Sequence, residues 1–278
     1  MRPPILLRRV AYPIAKRRYA RRQAEREDQV PVVVLTMGKA GSTAIVRALD
    51  RDVPERPCYQ VHYLSEANLR RAEAGYRRTT PGRWPQHVFA GYYLRGRWPT
   101  THRPWDIVCP VREPIGRDVA AYFQTAARFG NETADVGRAL KDFLAFRQGR
   151  SATTWFDREV RAELGIDVYD HPFDPAAGFA RIDAPGVRLL LIRQENLDGA
   201  IEILSDFLGH TVSSLGGANV GADKVYAEDY RRFRAEVALP PEVLDEAYDS
   251  TYARHFYSPE EIRSFRSAWE RSTHISPG

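Results

Sequence analysis

The sequence predicts an α/β fold in three layers, α/β/α, with a central, mainly parallel sheet and a helical C-terminal region. Three observations lead to this prediction. Continuous apolar, β-branched runs, which are typical of strands buried on both faces, occur at 30–36, 106–111 and 187–192. Helix-like stretches alternate with these runs, as in sheets whose parallel strands are joined by crossover helices. The chain has 278 residues, which is enough to bury the core of such a fold.

Strands and helices are expected to alternate through most of the chain. Strands are predicted at 30–36, 59–63, 87–91, 106–111 and 187–192, and helices at 43–49, 65–78, 115–128, 136–147, 153–164 and 197–208. Ser65 is a favourable N-cap for the second helix, and Pro114 suits the first turn of the third. The tail from 223 to 269 is expected to form further helices. We place the one domain boundary near residue 29, between a basic arm at 1–28 and an α/β domain at 29–278.

The positive charge of the chain is concentrated in this N-terminal arm. The net charge is +5, and residues 1–28 contain nine basic and three acidic residues, so the rest of the chain carries about −1. No nucleic-acid partner is expected, because binding would need a basic face on the folded body. The arm is expected either to be a frayed, solvated extension or to form an interfacial basic helix in peripheral contact with a membrane. The apolar side of that helix would be Leu6, Leu7, Val10 and Ile14.

Cysteine usage and the arm together predict a cytoplasmic location, with the inner face of the membrane as the alternative. Cys58 and Cys109 lie far apart in apolar stretches and are expected to be buried free thiols. They form no disulfide framework, which favours a reducing compartment. The longest apolar run of the arm, Ile5-Leu6-Leu7, is interrupted by Arg8-Arg9, so neither a secretory signal nor a spanning helix is expected.

A glycine-containing turn, Met37-Gly38-Lys39-Ala40-Gly41-Ser42, links the first predicted strand to a helix. Such a turn is a natural anion site, since backbone N–H groups and the helix dipole both favour negative charge. Gly41 would let the backbone approach a phosphate, and Lys39 would add a mobile charge. Ser42 and Thr43 would add hydroxyl donors. The alternative is a tight turn with Lys39 in solvent. The pattern is not a Walker A motif, where lysine stands directly between the last glycine and Ser or Thr.

A second phosphate-type element follows the fourth predicted strand. Arg112 stands at the carboxyl end of that strand, just ahead of a helix, and ligands of open α/β sheets bind beyond such strand ends. The planar guanidinium of Arg112 matches the geometry of a phosphate. The alternative is that Arg112 and Arg117 pair only with their neighbours Glu113 and Asp118.

Together these two elements resemble the sulfotransferase superfamily, whose donor is 3'-phosphoadenosine 5'-phosphosulfate and whose fold is P-loop-like. Lys39-Ala40-Gly41-Ser42-Thr43 resembles its 5'-phosphosulfate loop, and the stretch from Arg112 to Tyr122 resembles its 3'-phosphate element. The stretch from Arg112 to Gly130 is similar to heparan sulfate 2-O-sulfotransferases. The chain also resembles a bacterial group described as capsular polysaccharide synthesis proteins. That resemblance lies in Val61-His62-Tyr63-Leu64, Trp155-Phe156-Asp157, Gly165-Ile166-Asp167-Val168-Tyr169 and His255-Phe256-Tyr257-Ser258.

The resemblance implies an enzyme that moves a sulfo group from this donor to a hydroxyl of a carbohydrate or polysaccharide, without a metal. Lys39 to Thr43 and Arg112 would bind the donor, and Lys39 would neutralise the leaving phosphate. The serine that the family uses at the 3'-phosphate is Ala120 here, so one hydroxyl contact is absent. In a glycine-flanked loop near the tail, Lys224 would reach the 3'-phosphate and Tyr226 would pack on the base. A solvated loop is the alternative.

The acceptor hydroxyl needs a base, for which His62 is the candidate. It ends the second predicted strand, would face the same crevice as Lys39, and titrates near neutrality. Related sulfotransferases use a histidine or a glutamate in this role. A core histidine is the alternative reading of His62, and a carboxylate such as Glu66 is the alternative base. The seven histidines are scattered, so no metal cluster is expected.

Two other functions remain open at this point. A P-loop-type kinase or NTPase would need lysine directly before Ser42 and a magnesium-binding aspartate on a strand, and neither is evident. The second is a non-catalytic nucleotide- or polyanion-binding protein that uses its basic arm.

Overall fold

The fold is built on a five-stranded sheet with the strand order β2-β1-β3-β5-β4. The computed structural model describes residues 5–25, 29–79, 85–97, 104–131, 133–148, 150–216 and 225–270. Its strands are β1 (Val32–Leu35), β2 (Cys58–Val61), β3 (Trp105–Val111), β4 (Phe179–Ala184) and β5 (Val187–Arg193). Four strands are parallel, and β4 runs antiparallel to β5 at the edge. The predicted α/β class with a mainly parallel sheet is confirmed, whereas its P-loop-like detail stays a prediction.

Helices cover both faces of the sheet. The helices are α1 (Ile5–Ala24), α2 (Ser42–Asp52), α3 (Glu66–Thr79), α4 (Gln86–Arg95), α5 (Pro114–Phe129), α6 (Val136–Arg147), α7 (Ala162–Leu164), α8 (Ile201–Leu208), α9 (Ala227–Glu236), α10 (Pro241–Tyr248), α11 (Thr251–Phe256) and α12 (Pro259–Glu270). Short 3-10 turns lie at Ala152–Thr154, Val168–Asp170 and Gln194–Gly199, and a π turn lies at Asp157–Arg161. The helical C-terminal region that the sequence predicts is therefore present as α9 to α12.

The β-branched run of β1 shows why the central strands are apolar throughout. Val32 and Val34 pack into the core on one face, against α2 and α8. Val33 and Leu35 pack into the core on the other face, which α4 and α11 help to close. All four side chains are buried, because successive residues of a strand point to opposite faces and both faces are covered.

Two predicted elements differ from the structure, and one observed strand has no counterpart in the prediction. The strand expected at 87–91 is wrong, since these residues lie in α4, where Val88, Phe89 and Leu94 are buried. A short apolar run cannot be told from a buried helix by periodicity alone. The edge strand β4 was not predicted, because its residues are mostly half-exposed and lack a clear apolar run. The helix expected at 153–164 is a series of 3-10, π and α turns.

Residues 5–24 of the basic arm form a helix that packs on α4. Tyr12 is buried and meets Phe89 edge-on, with 5.1 Å between ring centroids. The Nζ of Lys16 lies 3.1 Å above the Tyr92 ring centroid. A frayed extension is therefore wrong for these residues, while membrane contact and the domain boundary stay predictions. Within the ranges given above, no helix combines the length and apolarity needed to span a bilayer.

Candidate functional site

Four loops meet at one edge of the sheet and form a single cleft. Lys39, His62, Arg112 and Gln194 follow β1, β2, β3 and β5, whose carboxyl ends lie together because these strands are parallel. All four residues line a cleft with a volume of about 520 Å³. The structure thus brings the two predicted phosphate elements and His62 to one place, at the strand edge where open α/β sheets bind ligands.

The loop between β1 and α2 has a left-handed backbone at three positions. The φ angles of Gly38, Lys39 and Gly41 are 77°, 63° and 83°. Among the described residues, Lys39 is the only non-glycine residue with a positive φ, a conformation that costs about 1–2 kcal/mol outside glycine. Gly41 is needed for a second reason, because a Cβ at this position would collide with Leu197. A lysine held in a strained backbone beside a helix start indicates that its position matters for function.

Two arginines fasten this loop from the β3 side. Nη1 of Arg112 donates to the carbonyl oxygen of Lys39 at 2.9 Å. The buried guanidinium of Arg117 donates to the carbonyl oxygens of Met37 and Gly38. Because these carbonyls accept from the arginines, the loop is held with its backbone fixed relative to α5.

The alternative role of Arg112 and Arg117, an ion pair with the neighbouring carboxylate, is observed for Arg117 only. Arg117 pairs with Asp118 at 2.9 Å, and Asp118 also pairs with the buried Arg147 at 3.0 Å. Arg117 is therefore a structural residue that positions the loop. Arg112 makes no ion pair with Glu113 in the described structure, because the Glu113 carboxylate caps α5 instead. Arg112 thus remains available to an anionic ligand.

The Lys39 side chain reaches toward α9. Its Nζ lies 3.4 Å from the hydroxyl oxygen of Tyr226, and the Tyr226 ring stacks on Phe123 with 6.3 Å between centroids. Tyr226 is placed beside the loop without itself lining the cleft. Lys224 lies outside the described residues, so its contact with the 3'-phosphate stays a prediction, as does the packing of Tyr226 on the base.

The remaining predicted donor-binding residues differ in exposure. Ser42 is buried and accepts from Nε2 of Gln60 at 2.8 Å, while Thr43 is exposed, and both line the cleft. The Ala40 side chain is in the core. Ala120 is buried on α5 and does not line the cleft, whereas Ala121 does. Its place at the 3'-phosphate stays a prediction.

His62 lies directly against the loop between β1 and α2, beside Gly38. Its Nδ1 is 3.0 Å from the carbonyl oxygen of Thr36. Since a carbonyl can only accept, Nδ1 carries the hydrogen and Nε2 keeps its lone pair. Burial lowers the pKa of His62 to about 4, and the charges of Arg117 and Lys39 act in the same direction, against the hydrogen bond to Thr36. His62 is therefore a neutral imidazole at physiological pH. The alternative base, Glu66, is exposed and does not line the cleft.

Four arginines outside the predicted site also line the cleft: Arg71, Arg128, Arg150 and Arg158. No carboxylate lies within ion-pair distance of these four or of Arg112, as far as the chain is described. No Asp or Glu of the described ranges lines the cleft. None of the described His, Cys, Asp and Glu side chains form a group of three or more that could hold a metal ion. The charged side chains that line the cleft are therefore cationic, as far as the chain is described.

A signal for one of these arginines is present in the sequence. The α5 residues that line the cleft recur at helical spacing, at Arg117, Ala121, Gln124, Thr125 and Arg128, so the face of Arg117 extends to Arg128. Arg150 and Arg158 lie in turns, where periodicity gives no such indication.

A family model described as "Putative capsular polysaccharide synthesis protein" matches residues 137–258. The matched stretch contains Arg150, Arg158 and Tyr226 but not the loop between β1 and α2. It links the chain to capsular polysaccharide synthesis, in agreement with one of the two resemblances seen in the sequence. The search of curated proteins and the search of solved structures gave no significant match.

Proposed function

We propose that this chain is a sulfotransferase that moves a sulfo group from 3'-phosphoadenosine 5'-phosphosulfate to a hydroxyl of a carbohydrate or polysaccharide. The observation that supports this most is the strand-end cleft, where Lys39, His62 and Arg112 meet at a strained glycine loop. Its cationic lining suits a donor with several phosphate and sulfate charges. The link to capsular polysaccharide synthesis supports a carbohydrate acceptor.

The transfer is an in-line displacement at sulfur. The acceptor oxygen forms a bond to sulfur while the bond from sulfur to the bridging phosphate oxygen breaks. Nε2 of His62 takes the acceptor proton. The electron pair of the broken bond goes to the leaving phosphate, where Lys39 and the loop N–H groups stabilise the charge. The residues of this cleft can therefore account for each charge that the reaction creates.

The size of the cleft fits a nucleotide donor. Its volume of about 520 Å³ lies within the range of about 300–1,000 Å³ that is usual for small-molecule sites. Lys39 to Thr43 would hold the phosphosulfate, and Arg112 would bind the 3'-phosphate while it fixes the Lys39 carbonyl. In this arrangement Arg112 couples donor binding to the position of the lysine.

A magnesium-dependent kinase or NTPase fits the same residues less well. Mg²⁺ prefers carboxylate and water oxygens beside the phosphates, and no described Asp or Glu lines the cleft. A polyanion-binding protein would use the exposed arginines of α1, which include Arg17, Arg18, Arg21 and Arg22. Contact of the same helix face with an anionic membrane is compatible with the sulfotransferase proposal.

Adenosine 3',5'-bisphosphate is expected to stabilise the protein without added magnesium. At a hundredfold excess over its Kd, a ligand of the folded state adds about 2.7 kcal/mol of stability. Differential scanning fluorimetry with this nucleotide, with ATP and magnesium, and with heparin measures the effect. A shift seen only with ATP and magnesium supports the kinase, and a shift seen only with heparin supports the polyanion-binding protein. Mass spectrometry of saccharides incubated with the donor then detects the added sulfo group.

Arg112→Ala is expected to weaken binding of the same nucleotide by about 1.5–3 kcal/mol, the contribution of a charged hydrogen bond. The variant also loses the hydrogen bond that holds the Lys39 carbonyl. Because Lys39 is then less well positioned, the single-turnover rate should fall as well. Isothermal titration calorimetry measures the affinity. Arg138→Ala, on the exposed surface of α6, is the matched control and should leave it unchanged. An unchanged affinity in Arg112→Ala removes this residue from the donor site.

A further inference from the structure

The cleft carries more positive charge than a donor site at the loop requires. Lys39 and Arg112 lie at the loop, whereas Arg71, Arg128 and Arg158 lie on α3, on the last turn of α5 and on the π turn. In the described structure these three arginines have no carboxylate partner. Like charges that line one concave site raise its potential and attract an oppositely charged ligand.

Arg128 lies at the opposite end of the cleft from the loop. Arg117 holds the loop near the start of α5, and the rise of an α-helix places Arg128 about 16 Å further along the axis. Between the two ends stand His62 and His87, with 4.6 Å between ring centroids. Tyr76 follows, 5.3 Å from His87, and Nη1 of Arg128 donates to its hydroxyl at 2.7 Å. The proposed base therefore lies between the loop and Arg128.

Arg71 and Arg158 line the wall of the cleft that α3 forms, which also carries Tyr76, the partner of Arg128. Two carboxylates flank Arg158 in the sequence. Glu159 accepts from the backbone nitrogens of Leu64 and Ser65 at 2.6 and 2.8 Å and so anchors the start of α3, while Asp157 lies 3.9 Å from Arg161. Arg158 donates to the hydroxyl of Thr154 instead. Burial lowers the pKa of Arg158, the charges of Arg71 and Arg117 act in the same direction, and the charge of Glu159 opposes them. The two guanidinium groups therefore repel each other unless an anion lies between them.

We propose that Arg71, Arg128 and Arg158 form a second anion site, which binds the acceptor, and that this acceptor is an acidic saccharide. This inference rests on the proposed sulfo transfer and assigns the end of the cleft between α3 and the last turn of α5. Guanidinium forks match carboxylates in geometry as well as in charge. Phe129, which lines this end and is 44% exposed, offers an apolar face to a sugar ring.

The test compares acidic saccharides with neutral ones of the same backbone. Hexasaccharides of unsulfated chondroitin and of galacturonan, and their carboxyl-reduced counterparts, are titrated into protein saturated with adenosine 3',5'-bisphosphate. At least one acidic form is expected to bind, and its reduced form to bind about tenfold more weakly or not at all, as the loss of charged hydrogen bonds implies. A sulfated chondroitin hexasaccharide shows whether sulfate replaces carboxylate at these arginines.

Substitutions on α3 and on the π turn locate the site. Arg71→Ala and Arg158→Gln are each expected to lower the affinity for the acidic saccharide about tenfold and to leave the affinity for the nucleotide unchanged. Arg70→Ala is the matched control for the first, because Arg70 is the exposed neighbour on α3 and pairs with Glu66 outside the cleft. Arg71 makes no hydrogen bond within the described residues, so Arg71→Ala is expected to fold normally. It therefore tests the site even if Arg158→Gln disturbs the fold.

Five outcomes decide between these possibilities. Acidic selectivity that is lost in Arg71→Ala but kept in Arg70→Ala supports the acceptor site. Equal binding of acidic and reduced forms overturns it, and so does the absence of any saccharide binding. Equal losses of saccharide and nucleotide affinity in Arg71→Ala also overturn it, because this arginine then belongs to the donor site. A protein that does not bind the nucleotide at all contradicts the sulfotransferase proposal itself, which separates the two failures.

Discussion

Lys39→Gly and Lys39→Ala should both abolish sulfo transfer, while their effects on stability should differ. Removing a charge that stabilises a leaving group typically costs about 10²–10³-fold in rate. Glycine adopts the φ of 63° at this position without penalty, whereas alanine keeps the left-handed strain of about 1–2 kcal/mol. The glycine variant is therefore expected to be at least as stable as the wild type. Single-turnover rates and denaturant unfolding of both variants measure the two effects.

The pair of variants separates chemistry from folding at one position. Lys141→Ala, on the exposed surface of α6, is the control for loss of a lysine elsewhere and should change neither property. A glycine variant that is stable and inactive assigns the lost rate to the ammonium group. Turnover at the wild-type rate in that variant removes Lys39 from the mechanism. A glycine variant less stable than the alanine variant contradicts the strain assigned to the loop.

The parts of the site that the sequence predicts are those that depend on local pattern. A buried β-branched run, a glycine turn and a helix start specify the loop around Lys39 almost by themselves. Arg112 could be predicted because it ends a second run of the same kind, and parallel strands bring their carboxyl ends to one edge. His62 follows from the same reasoning, since β2 pairs with β1 in register from Val32 opposite Cys58 to Leu35 opposite Val61.

The parts that the sequence does not predict depend on tertiary context. The run at 87–91 forms a helix because Gly91 lets α4 approach the backbone of Tyr63 and the side chain of Leu69, which no side chain at this position would allow. Periodicity carries no information about such a contact. Arg158 reaches the cleft only because a π turn and the buried Glu159 set its direction. Spacing therefore predicts the positions of Lys39, Arg112 and Arg128 but not that of Arg158.

His62→Asn is expected to slow transfer by about 10²–10⁴-fold, the usual contribution of a general base, and to leave nucleotide affinity unchanged. The asparagine amide can still donate to the Thr36 carbonyl, which accepts from Nδ1 at 3.0 Å in the wild type. It offers no basic nitrogen in place of Nε2. The decisive measurement takes the single-turnover rate and the nucleotide affinity on the same variant. If His62 has only a structural role, the variant should lose transfer rate and nucleotide affinity together. An unchanged rate would show that His62 is not the base.

The pH dependence gives an independent readout of the same residue. Burial holds the pKa of His62 at about 4, below the value of 6.5 for an ordinary histidine, so the wild-type rate should fall only as the pH approaches 4. Between these two values the unfolded chain binds a proton that the folded protein does not. The contribution of His62 to stability is therefore complete above pH 6.5 and is lost as the pH falls toward 4. Because His62→Asn lacks this titration, its free energy of unfolding should fall less than that of the wild type over that interval. An acid limb of the wild-type rate near 6.5 would place the base elsewhere, on a group that burial does not perturb.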